Sequence, residues 1–141
     1  MWSFHHILLV STAVATVACT GCGRKAGADT ALMEAKAVQQ RFESAPPEVK
    51  QTVTASAQAI QAAAGERDTS VKAAQYAQAL QSMEQVLARG NLSKEQTQVL
   101  LNQFQQISKA VQNDPRLAAD KQLYQARNAA AQALHRSGVR P

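Results

Sequence analysis

Cysteine occurs only twice in these 141 residues, at Cys19 and Cys22. A disulfide framework is therefore excluded. Aromatic residues make up 4% of the chain, and there are only six glycines and four prolines. An all-β sandwich or barrel needs β-branched and aromatic strands joined by many such turns, so that class is excluded as well. Histidine is scarce, and past residue 18 only His135 remains. Two cysteines and one histidine are too few for a four-ligand zinc site. The chain has no Gly-x-Ser-x-Gly, no glycine-rich phosphate loop and no paired carboxylates at helical spacing with a histidine. Nothing here points to an enzyme, and no cofactor or metal is expected. Long apolar runs are missing too. The longest, Ile7 to Ala18, is 12 residues, or roughly 18 Å as a helix. A bilayer core of about 30 Å needs near 20 residues.

What is present is a helix-forming composition: 28 alanines and 18 glutamines, with 45% hydrophobic residues. Such a chain can fold as one ordinary domain. The short apolar run has the length of the core of an export signal rather than of a membrane span. It runs through Thr16, Val17 and Ala18 straight into Cys19.

Thr16-Val17-Ala18-Cys19 resembles a bacterial lipobox, the motif ahead of a lipidated cysteine. The resemblance implies cleavage after Ala18 and a diacylglycerol on the Cys19 thiol. Thr16 stands where the family prefers an aliphatic residue, and Met1 to His6 carry no Lys or Arg. Cys22, preceded by Gly21, is the alternative attachment site, with Cys19 then in the aliphatic position. Without lipidation, the same segment is an ordinary secretory signal cut after Ala18. The Cys19-Thr20-Gly21-Cys22 spacing is that of redox and haem motifs. Haem attachment needs a histidine next, and Gly23 stands there. A thioredoxin-type site needs a βαβ setting that the pattern lacks.

Residues 1–18 thus read as the signal, 19–29 as anchor cysteine and tether, 30–137 as a helical domain and 138–141 as a tail. The ten residues 20–29 are glycine-rich and reach about 35 Å fully stretched, or about 17 Å on average as a coil. Arg24 and Lys25 in that tether lie beside anionic head groups if Cys19 is anchored; otherwise they are solvated charges.

Periodicity and punctuation predict five helices. The first spans 30–43, with Ala31, Ala35, Val38 and Phe42 on one face, too few large side chains to settle whether it packs on the rest. Pro46-Pro47 restarts the chain into a second helix, with Val49, Val53, Ala57, Ile60 and Ala64 inward, stopped by Gly65. Asp68 or Thr69 caps the third, whose stripe is Tyr76, Leu80, Met83 and Leu87 and whose end is Gly90. Ser93 and Gln96 form a Ser-x-x-Gln capping box for the fourth, striped by Leu100, Phe104, Ile107 and Val111. Asn113-Asp114-Pro115 breaks it. A fifth helix over 116–136 points Leu123, Ala126, Ala130, Ala133 and Leu134 inward. The expected fold is all-α, a small antiparallel helical bundle or two stacked hairpins over 46–89 and 93–137. The stretch 49–89 is faintly similar to a tetratricopeptide repeat in its helix, Gly65 turn, Lys72-Ala73-Ala74 and Tyr76-to-Leu80 pattern. It departs from that family in a turn that runs to Val71, in lacking its first-helix aromatics and in having Leu92-Ser93 at the closing proline. That resemblance implies a scaffold binding peptides or partners along a groove.

Net charge is +5. Residues 1–90 carry eight basic and seven acidic side chains, and 91–141 carry seven and three. No acid follows Asp120, and Lys121, Arg127 and Arg136 offer a basic surface. Lys121, Gln125, Asn128, Gln132 and Arg136 share one helical face. This surface suits an anionic polymer, lipid head groups or an acidic partner. It equally suits a solvated face with Arg136 and His135 complementing the helix dipole. No aromatic residues interleave the cations, so nucleic acid is not expected as a partner. The sequence supports two expectations. One is a membrane-anchored module of the cell envelope, facing the periplasm or exterior and binding a protein or envelope polymer. The other is an unlipidated periplasmic or secreted module binding anionic polymer or an acidic partner through its basic C-terminal helix.

Overall fold

In the computed structural model, residues 35–139 and 141 are described. They form six helices: α1 (Ala35–Arg41), α2 (Pro47–Gly65), α3 (Thr69–Arg89), α4 (Lys94–Asn113), α5 (Pro115–Ala118) and α6 (Lys121–Arg136). No strand occurs among the described residues. The protein is an all-α bundle.

The helix starts follow side-chain chemistry. Asp68 Oδ1 accepts from the backbone N–H of Ser70 at 2.8 Å and of Val71 at 3.1 Å. Ser93 Oγ accepts from Gln96 N–H at 3.2 Å, while Gln96 Oε1 accepts from Ser93 N–H at 3.0 Å, completing the capping box. At the α3 end, Gly90 and Asn91 take φ values of 69° and 57° in succession. Glycine reaches that region freely, and asparagine is among the few other residues that tolerate it. The connection from α2 to α3 is only Glu66–Asp68, and Asp68 caps α3 as the sequence suggests.

The fifth helix expected over 116–136 is broken in two. Asp120 Oδ1 accepts from Leu123 N–H at 2.7 Å and starts α6 afresh. Packing explains the break. Leu117 and Leu123 are both buried, yet six residues place them about 120° apart on one continuous helix. A corner between α5 and α6 turns both inward. One further expectation is corrected. Ala63, not Ala64, is the buried alanine at the end of α2. The first helix packs on the bundle: Val38 and Phe42 are fully buried, and α1 lies against α2 and α4. Ala31 and the start of that expected helix fall outside the described residues.

Polar contacts fix the helix directions. Arg89 at the end of α3 reaches Glu48 in the first turn of α2 at 2.9 Å, so these two helices run antiparallel. Gln96 in the first turn of α4 donates to the Arg41 carbonyl, which brings the end of α1 to the same pole of the bundle. Leu87 and Ala133 line one cavity at that pole, so α3 and α6 run parallel. The backbone of α3 lies closest to α2 and α6, and much less close to its sequence neighbour α4. The buried residues supply the reason. α3 and α6 bury many alanines, among them Ala73, Ala77, Ala126 and Ala130, whereas α4 buries Leu100, Leu101, Phe104 and Ile107. Small side chains let helix axes approach, and large ones hold them apart.

Candidate functional site

The two lipid-attachment candidates, Cys19 and Cys22, lie outside the described residues, as do Arg24 and Lys25. The basic candidates on α6 do not form one patch. Lys121, Gln125, Gln132 and Arg136 are exposed and Asn128 is half-buried. At 1.5 Å per residue, Lys121 and Arg136 stand about 22 Å apart. Arg127 is half-buried on another side of the helix. It lines a cleft of about 30 Å³ with Val111, Leu117 and Tyr124. Arg136 instead lines the cavity at the opposite pole. His135 is exposed in the last turn of α6. Tyr76 is a packing residue: it is buried, and burial pushes its phenol above the ordinary tyrosine value.

Three larger concavities mark the surface. Two sit at the pole where α3 turns into α4, on either side of Gly90–Leu92, with volumes of about 450 Å³ and 440 Å³. Many of their polar groups already have partners inside the protein. Arg89 is paired with Glu48, Gln96 bonds to Ser93 and Arg41, Thr97 Oγ1 donates to the Ser93 carbonyl, and Ser137 Oγ donates to the Leu134 carbonyl. These groups are occupied in closing helix ends.

The third is a groove of about 780 Å³ between α1 and α2. Lys36, Gln39, Gln40 and Glu43 form one wall. Lys50, Gln51, Thr54, Ala55 and Gln58 form the other. The walls follow from helical spacing. Val38 and Phe42 face the core, so Lys36, Gln39, Gln40 and Glu43 turn away from it. Val49, Val53 and Ser56 are buried on α2, which leaves Gln51, Ala55 and Gln58 outward at spacings of four and three. In contrast to the pole, no side chain of these walls makes an intramolecular hydrogen bond or ion pair among the described residues. The groove therefore offers free donors and acceptors: two ammonium groups, four primary amides, a hydroxyl and one carboxylate.

The groove is not legible in the sequence, because two large apolar side chains do not fix where the first helix packs. The available signal was the pair Val38 and Phe42, four residues apart, opposite polar residues. Among the described residues, no group of three or more His, Cys, Asp or Glu is placed to hold a metal ion. None of the described helices is long and apolar enough to cross a membrane.

Comparison with protein-family models, curated proteins and solved structures finds no match.

Proposed function

We propose that this chain is a lipid-anchored protein of the bacterial cell envelope, in which an acylated Cys19 holds a helical domain at the membrane surface. The domain acts by binding a protein or an envelope polymer, not by catalysis. One observation carries this reading: a 12-residue apolar run ends in Thr16-Val17-Ala18-Cys19, followed at once by a glycine-rich, basic stretch. The run is too short to span and the right length for an export signal. Cys22 is the second candidate for the acyl group. A single chain gives only marginal membrane binding, and two give stable anchoring. A diacylglyceryl cysteine supplies two.

Phase partitioning in detergent tests the reading on the full chain expressed in a bacterium that acylates lipoproteins. The wild-type protein goes to the detergent phase, and Cys19→Ala sends it to the aqueous phase. If Cys22→Ala does so instead, the anchor is Cys22. If Cys19→Ala and Cys22→Ala together leave the partition unchanged, the anchor is not a cysteine thiol and the reading fails.

A second reading is favoured by the exposure of Lys121, Gln125, Gln132 and Arg136 on one face of an acid-free helix. In it the chain is unlipidated and binds anionic polymer through α6. That binding weakens with salt and with Lys121→Gln and Arg136→Gln together.

A further inference from the structure

We propose that the α1–α2 groove is the face with which the domain rests on its membrane, its lysines and glutamines taking the phosphate and hydroxyl groups of anionic lipid head groups. This rests on the lipid-anchored reading and adds to it an orientation.

Three observations converge on this face. The first is free bonding capacity, since the groove's polar side chains have no partner among the described residues, while many of those at the α3–α4 pole are engaged. The second is chemical fit. Lys36 and Lys50 outnumber Glu43 on the walls. An ammonium only donates hydrogen bonds, and a lipid phosphate accepts them. The amides of Gln39, Gln40, Gln51 and Gln58 both donate and accept, which matches the hydroxyls of a glycerol head group. The third is the length of chain between anchor and domain. Ala35 is 16 residues past Cys19, a length of chain that spans at most about 55 Å. The chain joins the domain at α1, where Lys36 already forms part of the groove wall. The face of α6 does not adjoin α1, which lies against α2 and α4. The anchored end of the chain thus enters the domain on the α1–α2 face and not on α6.

The test uses the full-length acylated protein in vesicles of phosphatidylcholine alone or mixed with phosphatidylglycerol. Lysines are labelled with an amine reagent and mapped by peptide mass, alongside amide hydrogen exchange of α1. On anionic vesicles Lys36 and Lys50 label several-fold more slowly than on neutral ones, while Lys109 and Lys121 do not change. The protection disappears at about 1 M salt, where the screening length falls to about 3 Å. Lys36→Glu with Lys50→Glu changes only side chains outside the core, and it returns α1 exchange to its level on neutral vesicles.

Equal labelling on both vesicle types overturns the proposal, as does protection at Lys109 or Lys121 instead. Protection that appears in concentrated detergent solution without vesicles also overturns it, and assigns the groove to a second copy of the chain. The N-terminal peptide from the same sample reports the acyl group separately. If it is absent, the anchoring reading fails alone, and unacylated chain added to excess anionic vesicles still shows slowed Lys36 and Lys50 when the groove proposal holds.

Discussion

Ser56 has one hydroxyl proton and two acceptors in reach, the Ala79 carbonyl at 3.2 Å and Gln103 Oε1 at 3.3 Å. It can serve only one at a time. Gln103 is buried, and its Nε2 has no partner among the described residues. A buried unpaired donor costs about 1–3 kcal/mol. This triad ties the middles of α2, α3 and α4 together at an energetic cost. Gln103→Met keeps the volume and removes the amide, so the urea midpoint should stay level or rise by the equivalent of about 1 kcal/mol. A loss above about 2 kcal/mol would mean that the amide contributes net stability. At the start of α4, Ser93 Oγ donates to Glu95 Oε2 at 2.9 Å. The backbone N–H of Glu95, and then this hydroxyl, hold its carboxyl below the usual glutamate range. A carboxyl lowered in the folded state contributes stability above its unfolded value, near 4.3, and loses it as pH falls through the folded value. Glu95→Gln should therefore flatten the fall in melting temperature between about pH 5 and pH 3. An unchanged slope would remove Glu95 from the acid response.

The helix stripes that the sequence revealed are those built from large side chains. Leu100, Phe104, Ile107 and Val111 on α4, and Tyr76, Leu80, Met83 and Leu87 on α3, are all buried as their spacing implies. Ala62-Ala63-Ala64 carries no such contrast, so periodicity could not choose Ala63 over Ala64. The corner at Asp120 escaped notice because Leu117 and Leu123 each fit a helical pattern locally. Only burial of both requires the break. For α1, two large apolar residues left its docking open. Phe42 is fully buried, so Phe42→Ala should cost about 3–5 kcal/mol in denaturant unfolding. A cost under about 1 kcal/mol would mean that α1 is loosely held and the groove is not a fixed feature.

Over the whole molecule, helix class was legible and helix pairing was not. Short connections imply antiparallel sequence neighbours, and α2 with α3 obeys. The parallel approach of α3 and α6 depends on alanine faces that look alike in sequence and meet only across the bundle. The same holds for the groove, whose walls come from two helices of similar polar composition. The scattered basic residues also gain a simple account. Arg41, Arg89 and Arg136 each stand in the last turn of a helix, where a cation complements the helix dipole. If anchoring relies on acyl chains and not on these charges, 1 M salt should leave the full-length protein on membranes while detergent releases it. Release by salt alone would favour the unlipidated basic module.

Intact mass with N-terminal peptide mapping reads the acyl group itself. The protein is taken from the membrane fraction of a bacterium producing the full chain. The account predicts a mature chain beginning at Cys19, with a diacyl or triacyl modification on that residue. An unmodified chain beginning at Cys19 and recovered in the soluble fraction would contradict it.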